Sequence, residues 1–213
     1  MADKKRAKPV PAGTSEPPVR DRILAAAFSA FTAHGFAEAS TLEIATRARA
    51  SKRELYALFG NKQDMLIACI SERARRLQLP VDLPELGDRE TLRTTLAAFG
   101  ARLVREVSDP AVVAMFRLAI AEATHTPDIA RSLHDIAIAA SRDALREIMR
   151  RARSAGLLTG EPAEMAAQFF GLLWGNLMLG LLLGIVARPN QREIDQRAEA
   201  ATTAFLRAYP EPA

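Results

Sequence analysis

Four side chains within five positions carry the most pronounced chemistry in this chain. Ser51 is followed by Lys52, Arg53, Glu54 and, after Leu55, Tyr56. Lysine and arginine neutralise phosphates, and an arginine can pair bidentately with guanine. A carboxylate at Glu54 repels phosphate but can accept from cytosine N4, so it is expected to select sequence rather than strengthen all binding. Such a set suits a nucleic-acid surface if one helix presents it. A solvated basic surface is the plain alternative.

The charge distribution along the 213 residues points the same way. Residues 1–63 carry eleven Lys+Arg against six Asp+Glu, whereas residues 64–213 carry eighteen against nineteen. The net charge of +4 therefore comes from the first third, which is the part expected to meet a polyanion. Other chemistries are thinly represented. His34, His125 and His134 form no H-E-x-x-H, and no glycine-rich phosphate loop occurs. His125 and His134, nine residues apart, fall on opposite sides of a single helix, so they predict no metal site. A single cysteine, Cys69, excludes an intrachain disulfide and multi-thiolate zinc. It reads as a buried helix residue, with a redox-sensing thiol as the alternative. No enzymatic activity, cofactor or metal is expected.

The elements that must position these groups are helical. Apolar residues make up 49% of the chain and charged residues 25%, without the alternating β-branched runs of strands. Three- and four-residue spacing predicts about nine helices. The first runs from about Arg20 to Ala33 and ends at His34-Gly35. Two short ones follow, capped by Ser40 or Thr41 and by Ser51, and a fourth runs from Lys62 to about Leu77. After a Pro80–Gly87 linker come Asp88–Val107, Pro110–Ala123, Pro127–Ala155, Pro162–Val186 and Arg192–Ala208. Within Thr41–Phe59 the pattern fits a helix-turn-helix. Ile44 and Ala48 form an inner face, Ala45 is small where the helices cross, and Leu55 and Leu58 form the matching face. Lys52, Arg53, Glu54 and Tyr56 then point outward near the start of the second helix, where such helices read the major groove. Any two short amphipathic helices joined by a turn share this pattern.

Residues 20–66, with Thr41-Leu-Glu-Ile-Ala, Ala48-Arg-Ala-Ser-Lys-Arg-Glu-Leu-Tyr-Ala-Leu-Phe59 and Asn61-Lys-Gln-Asp-Met-Leu66, closely resemble the DNA-binding domain of TetR/AcrR transcriptional regulators. Met115–Ala123 resembles the AefR-like subgroup more weakly. The resemblance implies a homodimeric, mostly repressing regulator with C-terminal helices forming the dimer interface and an inducer pocket. It implies phosphate contacts at Thr41 and Lys62, base and backbone contacts at Lys52 and Arg53, and a backbone contact at Tyr56. Two departures stand out. Arg49 occupies a turn position where the family usually has glycine; if left-handed, it costs on the order of 1 kcal/mol, or it is placed for DNA. Glu54 stands where the family has a small or hydroxyl residue.

The expected organisation is a basic, proline-rich disordered tail (1–19), a helix-turn-helix domain (20–66, its fourth helix linking from 62), and a ligand-binding and dimerisation domain (67–213). Lys4, Lys5, Arg6 and Lys8 of the tail are candidates for an extra DNA arm. Phe169–Ala187 is apolar except for Asn176 and contains Gly171, Gly175, Gly180 and Gly184. A helix packed in the core or against a dimer partner is the preferred reading, with a membrane anchor as the alternative. A hydrophobic pocket is expected among Phe99, Leu103, Met115, Phe116, Phe170, Trp174, Asn176 and Met178, with Asn176 as a buried amide, although plain core packing explains each residue singly. The expected partners are thus a palindromic double-stranded DNA operator, a second copy and a small hydrophobic or aromatic inducer, in the cytoplasm and without a membrane. A dimeric ligand-binding protein with impaired DNA binding is the alternative.

Overall fold

A computed structural model describes residues 16–74 and 85–211, and these are helical throughout their regular elements. The tail cations Lys4, Lys5, Arg6 and Lys8, most of the Pro80–Gly87 linker and the last residues before Leu77 lie outside the described residues. Ser40, Ser51, Asp88, Asp109 and Asn190 each accept a hydrogen bond from a first-turn amide of the helix they precede. That satisfies amide groups that have no partner within the helix. Pro110, Pro127 and Pro162 stand at first-turn positions, where a missing N–H costs nothing.

The head comprises α1 (Val19–Glu38), α2 (Thr41–Arg47), α3 (Lys52–Phe59) and α4 (Lys62–Ala74). Gly35, at φ 80° and ψ 173°, interrupts α1 at the expected stop, and the chain stays helical on to Glu38. Ile23, Ala27, Phe31, Ile44, Leu55, Met65 and Ile70 close the head core. Leu58 is not part of it: 45% of its surface is exposed, and Phe59 fills the inner position instead. An eight-residue helix buries only a narrow face, and Leu55 and Phe59 at i and i+4 span it.

The body comprises α5 (Arg89–Val107), α6 (Pro110–Glu122), α7 (Pro127–Leu133), α8 (Ala139–Ser154), α9 (Pro162–Trp174), α10 (Leu177–Leu183) and α11 (Gln191–Ala208). α11 packs along α5 and α9, and α9 also packs on α8. The expected helix Pro127–Ala155 is divided by a π-helical turn, His134–Ile138. One wide turn re-registers the faces. Ile129 and Leu133 pack into the head core, whereas Leu145, Ile148 and Met149 pack into the body core around Leu96, Val104, Phe169 and Phe205.

The expected single helix Pro162–Val186 is also two. Gly175, at φ 46° and ψ −122°, ends α9, and α10 departs at 53°. Arg197 Nη1 donates to the Leu173 and Trp174 carbonyls at 3.2 and 3.4 Å, supplying partners at the break. Gly180 serves the chain itself rather than a facing helix. Ile185 and Val186 fold back to donate to its carbonyl, and a Cβ there would meet Val186 Cγ2 at 2.5 Å. Among the described residues no single helix is long and apolar enough to cross a membrane, and only the bent pair α9–α10 passes by combined length.

Candidate nucleic-acid interface and ligand cavity

The turn between α2 and α3 places the recognition chemistry. Arg49 has φ 49°, the left-handed conformation in which a side chain is strained. Arg22 of α1 holds this turn: its Nε donates to the Ala48 carbonyl at 2.9 Å and its Nη2 to the Arg49 carbonyl at 3.5 Å. The Arg49 guanidinium stays exposed, 3.5 Å from Glu16. Ser51 then opens α3 with a reciprocal cap. Its Oγ accepts from the Glu54 amide at 3.1 Å, while Glu54 Oε2 accepts from the Ser51 amide and hydroxyl at 2.8 Å. These bonds hold the Glu54 carboxyl below its ordinary range. In this structure Glu54 is thus occupied with capping. The Ser-x-x-Glu spacing that announces a capping box was present in the sequence.

Lys52 and Arg53 are exposed on the first turn of α3, and among the described residues neither has an ion-pair partner. The helix dipole disfavours cations at this end, so local helix stability does not account for them. Tyr56 and Thr41 meet across the motif, their hydroxyls 3.2 Å apart. Lys62 faces the end of α1. Its Nζ donates to the carbonyls of Ala37 and Ala39 at 2.9 and 3.1 Å and lies 4.9 Å from the Phe36 ring centre. The ammonium thereby caps carbonyls left open where α1 ends, a role that sequence spacing did not suggest. Arg22 and Lys62 both bond backbone far away in sequence, so only the folded chain reveals them.

Behind the head, α4–α10 line a cavity of about 310 Å³. Leu103, Met115, Phe116, Phe170, Trp174 and Met178 line it, joined by Ile70 and Arg73 of α4, Glu106 and Val107 of α5, and Ser141 and Arg142 of α8. Ile138, the last residue of the π turn, also lines it. The wall is predominantly apolar, as small-molecule sites generally are. Its α4 portion belongs to the helix whose Met65 and Leu66 pack inside the head core.

Residues 23–69 match the family of bacterial regulatory proteins of the TetR type, and residues 94–211 match the C-terminal domain of AefR-like transcriptional repressors. The chain belongs to the TetR family of transcriptional regulators. Solved structures of the family share the fold along nearly the whole chain. The flavonoid-responsive regulator FrrA is 29% identical, with a TM-score of 0.74 over 93% of this chain and 100% of its own. A TetR transcriptional regulator from Agrobacterium tumefaciens is 24% identical with a TM-score of 0.77, covering 92% and 96% of the two chains. A TetR-family regulator from Mesorhizobium loti is 24% identical with a TM-score of 0.73, covering 92% and 99%. No curated protein sequence matches the chain.

Two residues expected in the pocket of this TetR-family chain are elsewhere. Phe99 is buried in the body core. Asn176 is exposed at the start of α10 and makes no capping bond through its side chain. The glycine break moves it: a straight helix would have kept residue 176 on the apolar surface, whereas the bend at Gly175 turns it outward. Arg73, Glu106 and Arg142 went unnoticed because nothing in their spacing separates a cavity-lining charge from a solvated one. Cys69 is buried 3.6 Å from the Leu24 carbonyl, and burial pushes its thiol up to about 12, which keeps it protonated and unreactive. Among the described residues no three His, Cys, Asp or Glu side chains group as metal ligands.

Proposed function

We propose that this TetR-family chain is a cytoplasmic homodimeric repressor that leaves a palindromic operator when a small hydrophobic or aromatic ligand enters the cavity. The observation that carries the reading is that α4 belongs to both sites. Ile70 and Arg73 line the cavity, while Met65 and Leu66, one to two turns earlier, are fully buried in the core that seats α2 and α3. A ligand that pushes on α4 therefore acts on the seat of the recognition helix. Release requires the ligand to favour the DNA-incompetent arrangement, since equal affinity for both would shift nothing. The match to AefR-like repressors supports repression, and a flavonoid-responsive relative supports an aromatic effector.

In this reading Thr41, Tyr56, Lys52 and Arg53 meet the backbone and bases, and Arg49 stands at the edge of the contact. Lys62 retains one ammonium donor beyond the two given to carbonyls. Glu54 positions α3 through its cap and reads cytosine only if the cap opens. The dimer forms through α9, α10 and α11. Leu172, Leu179, Leu183, Ile185 and Val186 are exposed there, and a second copy covers them.

Selection of operator sites from random duplex DNA, followed by a salt titration, tests the proposal. A palindromic winner and a salt slope reduced by about one in Lys52→Ala are expected. No enriched sequence from a folded, ligand-stripped dimer at low salt would replace it with a ligand-binding dimer that has lost DNA binding.

A further inference from the structure

Three charged side chains reach the otherwise apolar cavity from three helices: Arg73 from α4, Glu106 from α5 and Arg142 from α8. Among the described residues none of the three is within ion-pair distance of an opposite charge. This is unusual for α8. Arg146 bonds Asp143 at 3.0 Å, Arg150 and Arg151 share Glu147 at 2.6–2.8 Å, and Arg153 bonds Glu161 at 3.2 Å. Arg142, beside Asp143 in sequence, has no such carboxylate. Arg73 is instead held over the Phe28 ring of α1, its guanidinium carbon 4.3 Å from the ring centre. An aromatic face orients a guanidinium without neutralising it.

We propose that the effector is an apolar monoanion, a hydrocarbon or aromatic body carrying one carboxylate, whose charged end bridges Arg73 and Arg142. The proposal rests on the ligand-cavity reading above and specifies its chemistry. Two guanidinium groups and one carboxylate leave the lining with a net charge of +1. Arg142 is exposed and Arg73 and Glu106 are half-buried, so these charges stand at the solvent side of the cavity. A bound monoanion brings the lining to neutrality, a cation raises it to +2, and a neutral molecule leaves the surplus positive charge unmet. Guanidinium is also the cation best shaped to take a carboxylate through two parallel bonds. The apolar body then lies against Phe116, Phe170, Trp174 and Met178. Because Arg73 stacks on Phe28, the anion draws on a contact between α4 and α1, both within the head.

Trp174 is the only tryptophan in the chain and lines the cavity, so its emission reports on occupancy directly. Titrating the full-length protein with decanoate, decanol and decylammonium at pH 7 compares three head groups on one chain length. Decanoate should bind at least about tenfold more tightly than decanol, and decylammonium most weakly. In Arg142→Gln, and separately in Arg73→Gln, the preference for the acid over the alcohol should fall severalfold, whereas Glu106→Gln should increase it. Equal affinity for acid and alcohol, or preference for the ammonium, overturns the anion assignment and leaves the cavity reading in place. No saturable change with any of the three, from protein that is helical by circular dichroism, overturns both.

Discussion

The head, residues 16–74, closes its core around Phe31, Ile44 and Leu55 and turns unpaired cations outward at Lys52 and Arg53. The body, residues 85–211, closes just as tightly around Leu96, Ile148 and Phe169 but keeps a cavity of about 310 Å³ beside that core. It also leaves a row of leucines and Ile185 exposed. In the head, the short capped helices α2 and α3 each bury one face, so hydrophobic spacing and burial largely agree. In the body, an apolar side chain has three destinations: the core, the cavity wall or the outer face. Periodicity alone cannot tell these apart, and only the first follows from avoiding water within one chain.

Substitutions at neighbouring residues can break this contrast. Phe169 is fully buried and meets Phe205 edge-on at 5.6 Å, while Phe170 borders the cavity. Phe169→Ala should cost about 3–5 kcal/mol in urea unfolding, and Phe170→Ala about 1–2 kcal/mol, because the latter side chain already faces unfilled space. Equal costs would mean that the cavity wall is packed like core. The corresponding pair in the head is Leu55 and Leu58. Leu55→Ala should cost about 2–5 kcal/mol and Leu58→Ala under about 0.5 kcal/mol by the same measurement.

Smaller effects sharpen the comparison. Thr202 is buried in the body, and among the described residues its hydroxyl has no partner, so Thr202→Val should stabilise by about 1–2 kcal/mol, read as a raised urea midpoint. Ser51→Ala should cost about 1 kcal/mol of stability through the lost cap. The sign of its pH dependence follows from Glu54, whose folded value is depressed below 4.5. The contribution of that carboxylate is complete above the unfolded value and lost as pH falls through the folded one. The cost of Ser51→Ala, compared by denaturant titration at pH 7 and pH 3, should therefore shrink at the lower pH. A small effect of opposite sign is expected at the turn. Arg49→Gly relieves a left-handed arginine and should stabilise by up to about 1 kcal/mol, read as a raised urea midpoint.

Much of the candidate interface was legible from residue types alone. Ser40 and Ser51 announce two helix starts, and Lys52, Arg53 and Tyr56 fall outward once Leu55 is placed inward. Glu54 was legible too, through a capping spacing that competes with its reading as a base contact. The pocket was half legible. Large apolar residues on α5, α6, α9 and α10 indicate an apolar site, but Asn176 belongs there only on an unbroken helix, which Gly175 interrupts, and Phe99 of α5 packs into the core instead. Arg22 and Lys62 act on carbonyls 26 and 23–25 residues away, a distance over which local spacing carries no signal.

Local chemistry therefore determined the helices, their caps, the helix-turn-helix motif and the surplus of positive charge in the first third, because each depends on neighbours within a turn or two. The π turn at His134–Ile138, the bend at Gly175, and the meeting of Arg73, Glu106 and Arg142 around one space depend on how distant faces come together. A helix that must serve two cores changes its register, and one rich in glycine bends where packing and an arginine reward the bend. Such choices are settled by contacts between elements, and those contacts exist only once the chain has folded.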